Sequence, residues 1–166
     1  MDSCIQCTPA ELEQVMENYG NTVYRLAYSR TRSAADAEDI TQEVFLRYYR
    51  KRPAFETEAH RKAWLLRVTI NCAGKLVTSA WFRRTVPLEG EPVFEDPGAR
   101  MLDEALGCLA PKDRTLLHLY YYEELSTKEI AALLKRREST VRTQLTRARR
   151  KLAEIMKGEA YVSEGI

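Results

Sequence analysis

The sequence predicts an all-α protein of two small helical domains joined by a flexible linker, the second a four-helix domain with a helix-turn-helix. Apolar residues recur at the three- and four-residue spacing of amphipathic helices, and no stretch before residue 85 alternates as a strand would. Residues 85–100 interrupt this pattern with three Pro and two Gly, which predicts an extended linker. We therefore expect domains at 10–84 and 101–157, followed by a frayed tail at 158–166.

Three helices are predicted in the first domain. The first covers 10–32, where Gly20 is a candidate kink or break. The second covers 36–52 and stops at Pro53, and the third covers 59–80. Apolar residues form one stripe on each helix, so we expect the three stripes to share a core.

The second domain is predicted to begin with helices at 101–109 and 111–123 and to continue into a helix-turn-helix. Ser126 and Glu129 form a predicted capping box at the start of the next helix, which ends before a break at 135–138. One apolar stripe marks the last helix: Val141, Leu145, Ala148 and Leu152. A pair of short helices with this spacing is typical of the motif whose second helix lies in the DNA major groove.

The face opposite that stripe carries side chains suited to DNA. Arginine can donate two hydrogen bonds to a guanine edge, and threonine can bond a base edge or touch a thymine methyl. The candidates for contact with base edges are Arg142, Thr143, Thr146 and Arg147. The candidates for phosphate contacts, at the edges of that face, are Arg136, Arg149, Arg150 and Lys151. The alternative is a basic helix on a solvated surface.

Positive charge is local, since acidic segments elsewhere bring the net charge to only +2. This separation predicts one surface for nucleic acid and another for a basic protein partner. No uncharged run approaches the roughly 20 residues needed to span a bilayer, and the first residues lack the pattern of a secretion signal. We therefore expect a cytoplasmic protein with no stable membrane insertion.

The cysteines and histidines give no strong pattern for catalysis or metal binding. Cys72 and Cys108 lie in helical patterns and are expected in the core. Cys4 and Cys7 form a lone CxxC, for which a frayed, reduced terminus is favoured over a metal site. The two histidines lack partners at metal-ligand spacing, and no Gly-rich phosphate loop is present. We expect no enzyme activity, no metal and no cofactor.

Three segments together resemble the extracytoplasmic-function sigma factors, the smallest members of the bacterial sigma-seventy family. They are DAEDITQEVFLRYYR at 36–50, AWLLRVTIN at 63–71 and LAPKDRTLLHLYYYEELSTKEIAALL…STVRTQLTRARRKL at 109–152. The resemblance implies a protein that binds core RNA polymerase and directs it to promoter DNA. It also implies that the first domain recognises and opens the minus-ten element, that the second binds the minus-thirty-five element, and that an anti-sigma factor is a further partner.

The resemblance implies site residues in the first domain. In the family, the helix matching 36–50 docks on the clamp coiled coil of the largest catalytic subunit, and its acidic turn suits a basic surface. The contact residues implied are Asp39, Gln42 and Glu43. Phe55 and Asn71 match positions that hold an unstacked base of the non-template strand, where an aromatic ring stacks and an amide bonds. Trp64 matches as well, but it fits the apolar stripe and is expected in the core.

The chain departs from the family pattern at two places. The helix beyond Asn71 is densely basic in the family, whereas here Lys75, the third implied contact with the minus-ten element, is the only basic residue before Arg83. We therefore expect fewer melting contacts and a narrow range of promoters. The turn of the helix-turn-helix usually contains a Gly where this chain has Lys135, so we expect a different or mildly strained turn.

Two other functions stay open at this point. A free-standing helix-turn-helix regulator would explain 101–157 but would leave the DAEDITQEVF segment unexplained. A sigma-like interaction protein that sequesters a regulator would keep both segments but would not direct transcription. New start sites that depend on the added protein would distinguish the polymerase subunit from both.

Overall fold

The computed structural model describes residues 8–80 and 96–164, with side chains for 8–75 and 96–158. The chain divides into two compact units between Pro87 and Leu88. We call them the N-terminal unit and the C-terminal unit. All regular elements in the described residues are helical, as the sequence predicts. Within this part of the chain, no helix is both long and apolar enough to cross a membrane.

Three helices form the N-terminal unit: α1 (Pro9–Thr31), α2 (Ala34–Lys51) and α3 (Glu58–Ala80). Thr8 and Glu11 form a capping box that begins α1. The Ser33 hydroxyl accepts a hydrogen bond from the Asp36 N–H and so caps α2. The predicted boundaries of all three helices are therefore confirmed to within about two residues, the precision expected at helix ends.

One core joins the three apolar stripes of the N-terminal unit. Its buried members come from every helix: Val15, Val23, Ala27, Ala37, Ile40, Val44, Phe45, Tyr48, Leu65, Cys72 and Ala73. Trp64 packs against this core, as predicted. Gly20 does not divide α1, which continues through it, and a Cβ added there would meet no atom within 4 Å.

The C-terminal unit contains α4 (Pro97–Gly107), α5 (Pro111–Leu117), a π-helical segment (His118–Tyr122), α6 (Thr127–Leu134) and α7 (Glu138–Glu164). These elements supply its core, whose buried apolar members are Ala105, Leu109, Leu116, Leu117, Leu119, Ile130, Ala131, Leu133, Val141, Leu145 and Ala148. The helix predicted at 111–123 is present over nearly its whole length, as α5 and the π-helical segment. Its last turn is π-helical, with a bond from the Glu123 N–H to the His118 carbonyl that apolar spacing does not predict.

Two predicted boundaries in this unit are wrong. Helix α4 begins at Pro97 and not at Met101, because the Asp96 side chain accepts from the Gly98 N–H and Pro97 occupies the first helical position. The Pro and Gly that suggested a linker are thus partly a helix start, and 85–95 lies outside the described residues. At the other end, α7 continues to Glu164, whereas a frayed tail was predicted from 158. No Pro follows Leu152, and the single Gly158 costs only about 1 kcal/mol in a helix.

The two cysteines in helical patterns have different environments. Cys72 is buried in the core, as predicted, and this burial raises the pKa of its thiol. Cys108 is exposed, so its predicted place in the core is wrong. It follows the last residue of α4, so its side chain is no longer placed by the helical spacing that predicted its burial. Cys4 and Cys7 lie outside the described residues.

Candidate nucleic-acid interface

The helix-turn-helix forms from α6, the turn at 135–137 and α7. The predicted capping box is present, since the Ser126 hydroxyl accepts from the Glu129 N–H and the Glu129 carboxylate accepts from the Ser126 N–H. Lys135 ends α6 with φ 55° and ψ 49°, in the left-handed region. The turn is therefore made by a lysine in a backbone conformation that costs a non-glycine residue about 1–2 kcal/mol. The expected strain at Lys135 is confirmed.

Helix α7 buries one face and exposes the other. Val141, Leu145 and Ala148 are 2% exposed or less, and Leu152 is half-buried. The four residues predicted to contact base edges are all exposed: Arg142, Thr143, Thr146 and Arg147. The structure therefore brings these four together on one solvent-facing surface, which we call the α7 face.

The two threonines of the α7 face donate their hydroxyl hydrogens within the helix. Thr143 donates to the Ser139 carbonyl at 3.0 Å, and Thr146 donates to the Arg142 carbonyl at 2.9 Å. Each threonine consequently presents an accepting oxygen and a methyl group to solvent. These groups can accept from the amino group of adenine or cytosine, or touch a thymine methyl.

The two arginines of the α7 face differ in their partners. Arg142 Nη2 donates to Glu138 Oε1 at 2.7 Å, and Thr127 Oγ1 donates to the same oxygen at 3.0 Å. These bonds, first from Arg142 and then from Thr127, hold the pKa of the Glu138 carboxyl below its usual value, so it is ionised at neutral pH. Arg147 pairs with no described residue.

Three of the four predicted phosphate contacts have partners within the C-terminal unit: Arg136 in the turn, and Arg149 and Lys151 on α7. Arg136 Nη1 donates to Gln144 Oε1 at 2.9 Å. Arg149 lies over the rings of Tyr120 and Tyr121, 5.0 Å and 5.4 Å from their centroids. Both cations are therefore held by neighbours in the same unit.

The third is Lys151, whose Nζ lies 3.4 Å from Asp113 Oδ2. The Asp113 side chain is only 8% exposed, so this pair ties α7 to α5. Arg150 is exposed and pairs with no described residue. Among the four predicted phosphate contacts, Arg150 is therefore the cation with no partner in the described residues.

In the acidic turn of α2, two of the predicted contact residues are exposed and the third is bonded within the helix. Asp39 and Gln42 are exposed, and neither bonds a described residue. Glu43 is half-buried, and its Oε1 accepts from Arg47 Nε at 2.9 Å. This bond raises the pKa of Arg47. Since Glu43 is partly neutralised by its own helix, Asp39 and Gln42 carry the accessible part of this surface.

Phe55 lies in the loop between α2 and α3 and packs in an aromatic cluster. Its ring centroid is 6.3 Å from that of Tyr48 and 6.1 Å from that of Trp64, and the Arg61 guanidinium lies 5.5 Å from it. Arg61 also pairs with Glu58, which accepts from the Tyr19 hydroxyl at 2.7 Å. The contacts of Phe55 fix the loop to α2 and α3 and leave its ring half-buried, and the Tyr19–Glu58 bond joins α1 to α3.

Asn71 and Lys75 are both exposed on α3, four residues apart and therefore on one face. Arg67 is exposed one turn before Asn71 on the same face. This basic residue was not predicted as part of the site, although its spacing of four from Asn71 could have revealed it. Other missed contacts join residues far apart in sequence, such as Asp113 with Lys151, for which periodicity gives no indication. The described residues contain no cluster of His, Cys, Asp or Glu arranged to hold a metal ion.

Family models match most of the described chain. The model for Sigma-70 region 2 matches residues 15–83, and the model for Sigma-70, region 4 matches residues 99–152. The RNA polymerase sigma-E factor of Streptomyces coelicolor is 30% identical over 155 residues, which cover 87% of this chain and 85% of that protein. The ECF RNA polymerase sigma factor SigE of Mycolicibacterium smegmatis is 30% identical over 160 residues. Its match covers 87% of this chain but only 61% of the relative's length.

Two solved structures share the fold. The sigma factor RpoE from Bartonella quintana, in complex with the anti-sigma factor NepR, matches with a TM-score of 0.75 and 20% identity over 89% of this chain and 97% of that one. CnrH, in complex with the cytosolic domain of CnrY, matches with a TM-score of 0.70 and 23% identity over 93% of each chain. With both regions matched in order by sequence, and the fold shared, the chain belongs to the extracytoplasmic-function group of the sigma-70 family.

Proposed function

We propose that this chain is an initiation factor that binds core RNA polymerase and directs it to specific promoters. Residues 10–84 would act as the region-two domain, 85–96 as the linker and 97–157, beginning with α4, as the region-four domain. The observation that carries the proposal is the α7 face, where two arginines and two threonines lie exposed directly opposite a buried stripe. Such a face fits the major groove of the minus-thirty-five element.

The α7 face would contact base edges, and the residues at its edges would contact phosphates. Arg142, Thr143, Thr146 and Arg147 would contact base edges, because their side chains point away from the core of the unit. Arg150 would contact a phosphate directly. The other proposed phosphate contacts, Arg136, Arg149 and Lys151, are held by partners inside the unit, so their charges would contribute mainly through the local field.

Core polymerase would dock on α2 through Asp39 and Gln42, with Glu43 contributing less because Arg47 holds it. These acceptors suit a basic partner surface. With both surfaces, the chain would bind polymerase through α2 and DNA through α7.

The minus-ten element would meet Asn71 and Lys75 on the exposed face of α3, where Arg67 adds charge. Phe55 belongs to this proposed set as well. A base stacking on the side of its ring that Arg61 occupies must displace that guanidinium. Opening of the promoter would therefore rearrange the loop between α2 and α3.

The remaining proposals follow from the family. The chain would act without a cofactor and would not itself catalyse a reaction, since the polymerase performs the synthesis. It would work in the cytoplasm, where core polymerase and promoter DNA are found. An anti-sigma factor would hold it inactive, because a protein of the same fold, RpoE of Bartonella quintana, forms a complex with the anti-sigma factor NepR.

A reconstituted transcription assay tests the proposal. Core polymerase alone and core polymerase with this chain are compared on sheared genomic DNA, and run-off products are sequenced. We expect new start sites only with the added chain and none with Asp39→Arg, which removes an exposed acceptor from the docking helix. DNA binding without any new start site would favour a free-standing regulator. Binding to core polymerase that lowers existing transcription without new sites would favour a sequestering protein.

A further inference from the structure

A hydrogen-bonded chain crosses the turn of the helix-turn-helix. Glu138 is the first residue of α7, and its Oε1 accepts from two donors on different helices. Thr127, the first residue of α6, donates at 3.0 Å, and Arg142, one turn along α7, donates at 2.7 Å. The start of α6 is thus connected through one carboxylate oxygen to a side chain of the α7 face.

We propose that Glu138 determines DNA specificity by positioning Arg142, without itself contacting a base. The inference rests on the proposed function, in which α7 enters the major groove. Arg142 is the arginine nearest the beginning of α7, the end of a recognition helix that contacts base edges. A guanidinium that recognises a guanine must present two donors in a fixed plane, so its orientation decides whether it discriminates bases or only attracts phosphate.

The geometry supports this role in three respects. Glu138 precedes Arg142 by four residues, the favourable order for a helical ion pair. The Thr127 hydroxyl fixes the carboxylate from a second helix, which an ordinary surface pair lacks. The Arg142 side chain remains 66% exposed, so it is held but still accessible to DNA. By contrast, Arg147 pairs with no described residue and must be ordered by the DNA itself.

A carboxylate at this place also acts on sequence-independent binding. Its negative charge lies beside Arg142 on the surface proposed to face DNA, so it weakens binding to every duplex alike. That effect cancels when the affinity for a true site is divided by the affinity for a scrambled one. A change in this ratio of affinities therefore reports the positioning of Arg142. A change in charge alone, or in the stability of the turn alone, would leave the ratio unchanged.

The test uses the chain assembled with core RNA polymerase. The assembled enzyme selects from a random duplex library, and the most enriched duplex and a scrambled version are then titrated. We expect Glu138→Ala to lower the ratio of the two affinities about three- to tenfold, the effect of leaving one long side chain to be ordered on binding. Glu138→Gln keeps an oxygen that can accept from Arg142. The logarithm of its affinity ratio should therefore be at least about half of the wild-type value. Thr127→Val, which removes the anchoring hydroxyl, should fall between them, with Thr127→Ser near wild type.

The double variant decides whether Glu138 acts through Arg142. In an Arg142→Ala background, Glu138→Ala should leave the ratio unchanged to within about twofold, because no guanidinium remains to be positioned. A full additional loss in that background, or no loss from Glu138→Ala alone, would overturn this inference and leave the proposed function intact. If Glu138→Ala does not fold, Glu138→Gln and the Thr127 pair carry the same comparison. A wild-type enzyme that enriches no sequence would overturn both the proposed function and the inference.

Discussion

The acidic turn of α2 and the basic face of α7 occupy similar positions on their helices but differ in how many of their charged side chains are accessible. Both lie opposite a buried stripe of their own helix. On α2, Glu43 pairs with Arg47, whereas Asp39 and Gln42 bond no described residue. On α7 and its edges, most of the cations have partners: Arg142 with Glu138, Arg136 with Gln144, Arg149 with Tyr120 and Tyr121, and Lys151 with Asp113.

The difference shows that a run of charge in the sequence overstates the charge available to a partner. Of the eight proposed DNA contacts on the α7 face and its edges, Arg147 and Arg150 are the cations without a described partner. Binding should therefore depend on them most directly. Arg136, Arg149 and Lys151, which have partners, would mainly hold the unit together, whereas Arg142 is paired but still 66% exposed and accessible to DNA. Substitutions on each surface separate these two groups, from the largest expected effect to the smallest.

The largest effect is expected on α2. Asp39→Arg with Gln42→Arg should weaken binding to core polymerase by at least about 2 kcal/mol, roughly thirtyfold, because it sets like charges against a basic partner. Binding is measured by fluorescence anisotropy of the labelled chain. Glu13→Arg with Gln14→Arg, two exposed residues of α1 that give the same change in net charge, is the matched control and should have little effect. Equal losses from both pairs would mean that net charge, and not this turn, governs docking.

Arg147 and Arg150 should fail in different ways on DNA. Arg147→Ala should cost about 1–3 kcal/mol on the selected duplex and little on a scrambled one, because this side chain reaches a base edge. Arg150→Ala should weaken both duplexes alike and lower the salt slope by about one unit. Titrations at two salt concentrations measure both quantities. An equal decrease on both duplexes for Arg147→Ala would show that this side chain contacts only the backbone.

Lys151 should matter for stability as well as for DNA. Lys151→Met leaves the largely buried Asp113 carboxylate without its ammonium partner and should destabilise the C-terminal unit by about 1 kcal/mol, an amount limited by the exposure of the lysine. Adding Asp113→Asn should recover part of that stability. Urea unfolding followed by far-ultraviolet circular dichroism measures each change. An unchanged free energy of unfolding in the single variant would mean that the pair contributes nothing to folding.

The smallest effect is expected at the turn, where no partner contact is involved. Lys135→Gly should stabilise the unit by about 0.5–1 kcal/mol, since glycine removes the left-handed strain while adding freedom to the unfolded chain. Arg137→Gly is the matched control two residues later, where φ is not positive, and it should destabilise. Chemical unfolding measures both, and a stabilising effect of Arg137→Gly would argue against strain at Lys135.

Helix periodicity predicted most of this fold because each helix buries a continuous stripe. It correctly separated Val141, Leu145 and Ala148 from the α7 face, and the capping rules located the start of α6. It failed at both ends of α4. Pro97 indicated a linker but begins the helix, and Cys108 lies one residue past the end of the helix, where helical spacing no longer determines burial.

The sequence did not predict which side chains on different helices contact each other. Lys151 was predicted as a phosphate contact because its position on α7 is known from the pattern, while Asp113 reaches it from α5, 38 residues away. Phe55 was matched to a position that stacks a base, whereas its packing depends on Tyr48, Trp64 and Arg61 from α2 and α3. Such pairs follow from how helices pack, which spacing along one helix does not determine.

The most direct test of the central claim is a genome-wide map of transcript 5′ ends made with core polymerase in the presence and absence of this chain. We predict a set of start sites that depends on the chain and shares two upstream sequence elements at constant spacing, one at the minus-ten and one at the minus-thirty-five position. The two elements follow from the assignment of one promoter element to each helical unit. An unchanged set of start sites, or new sites that share no upstream element, would contradict the account.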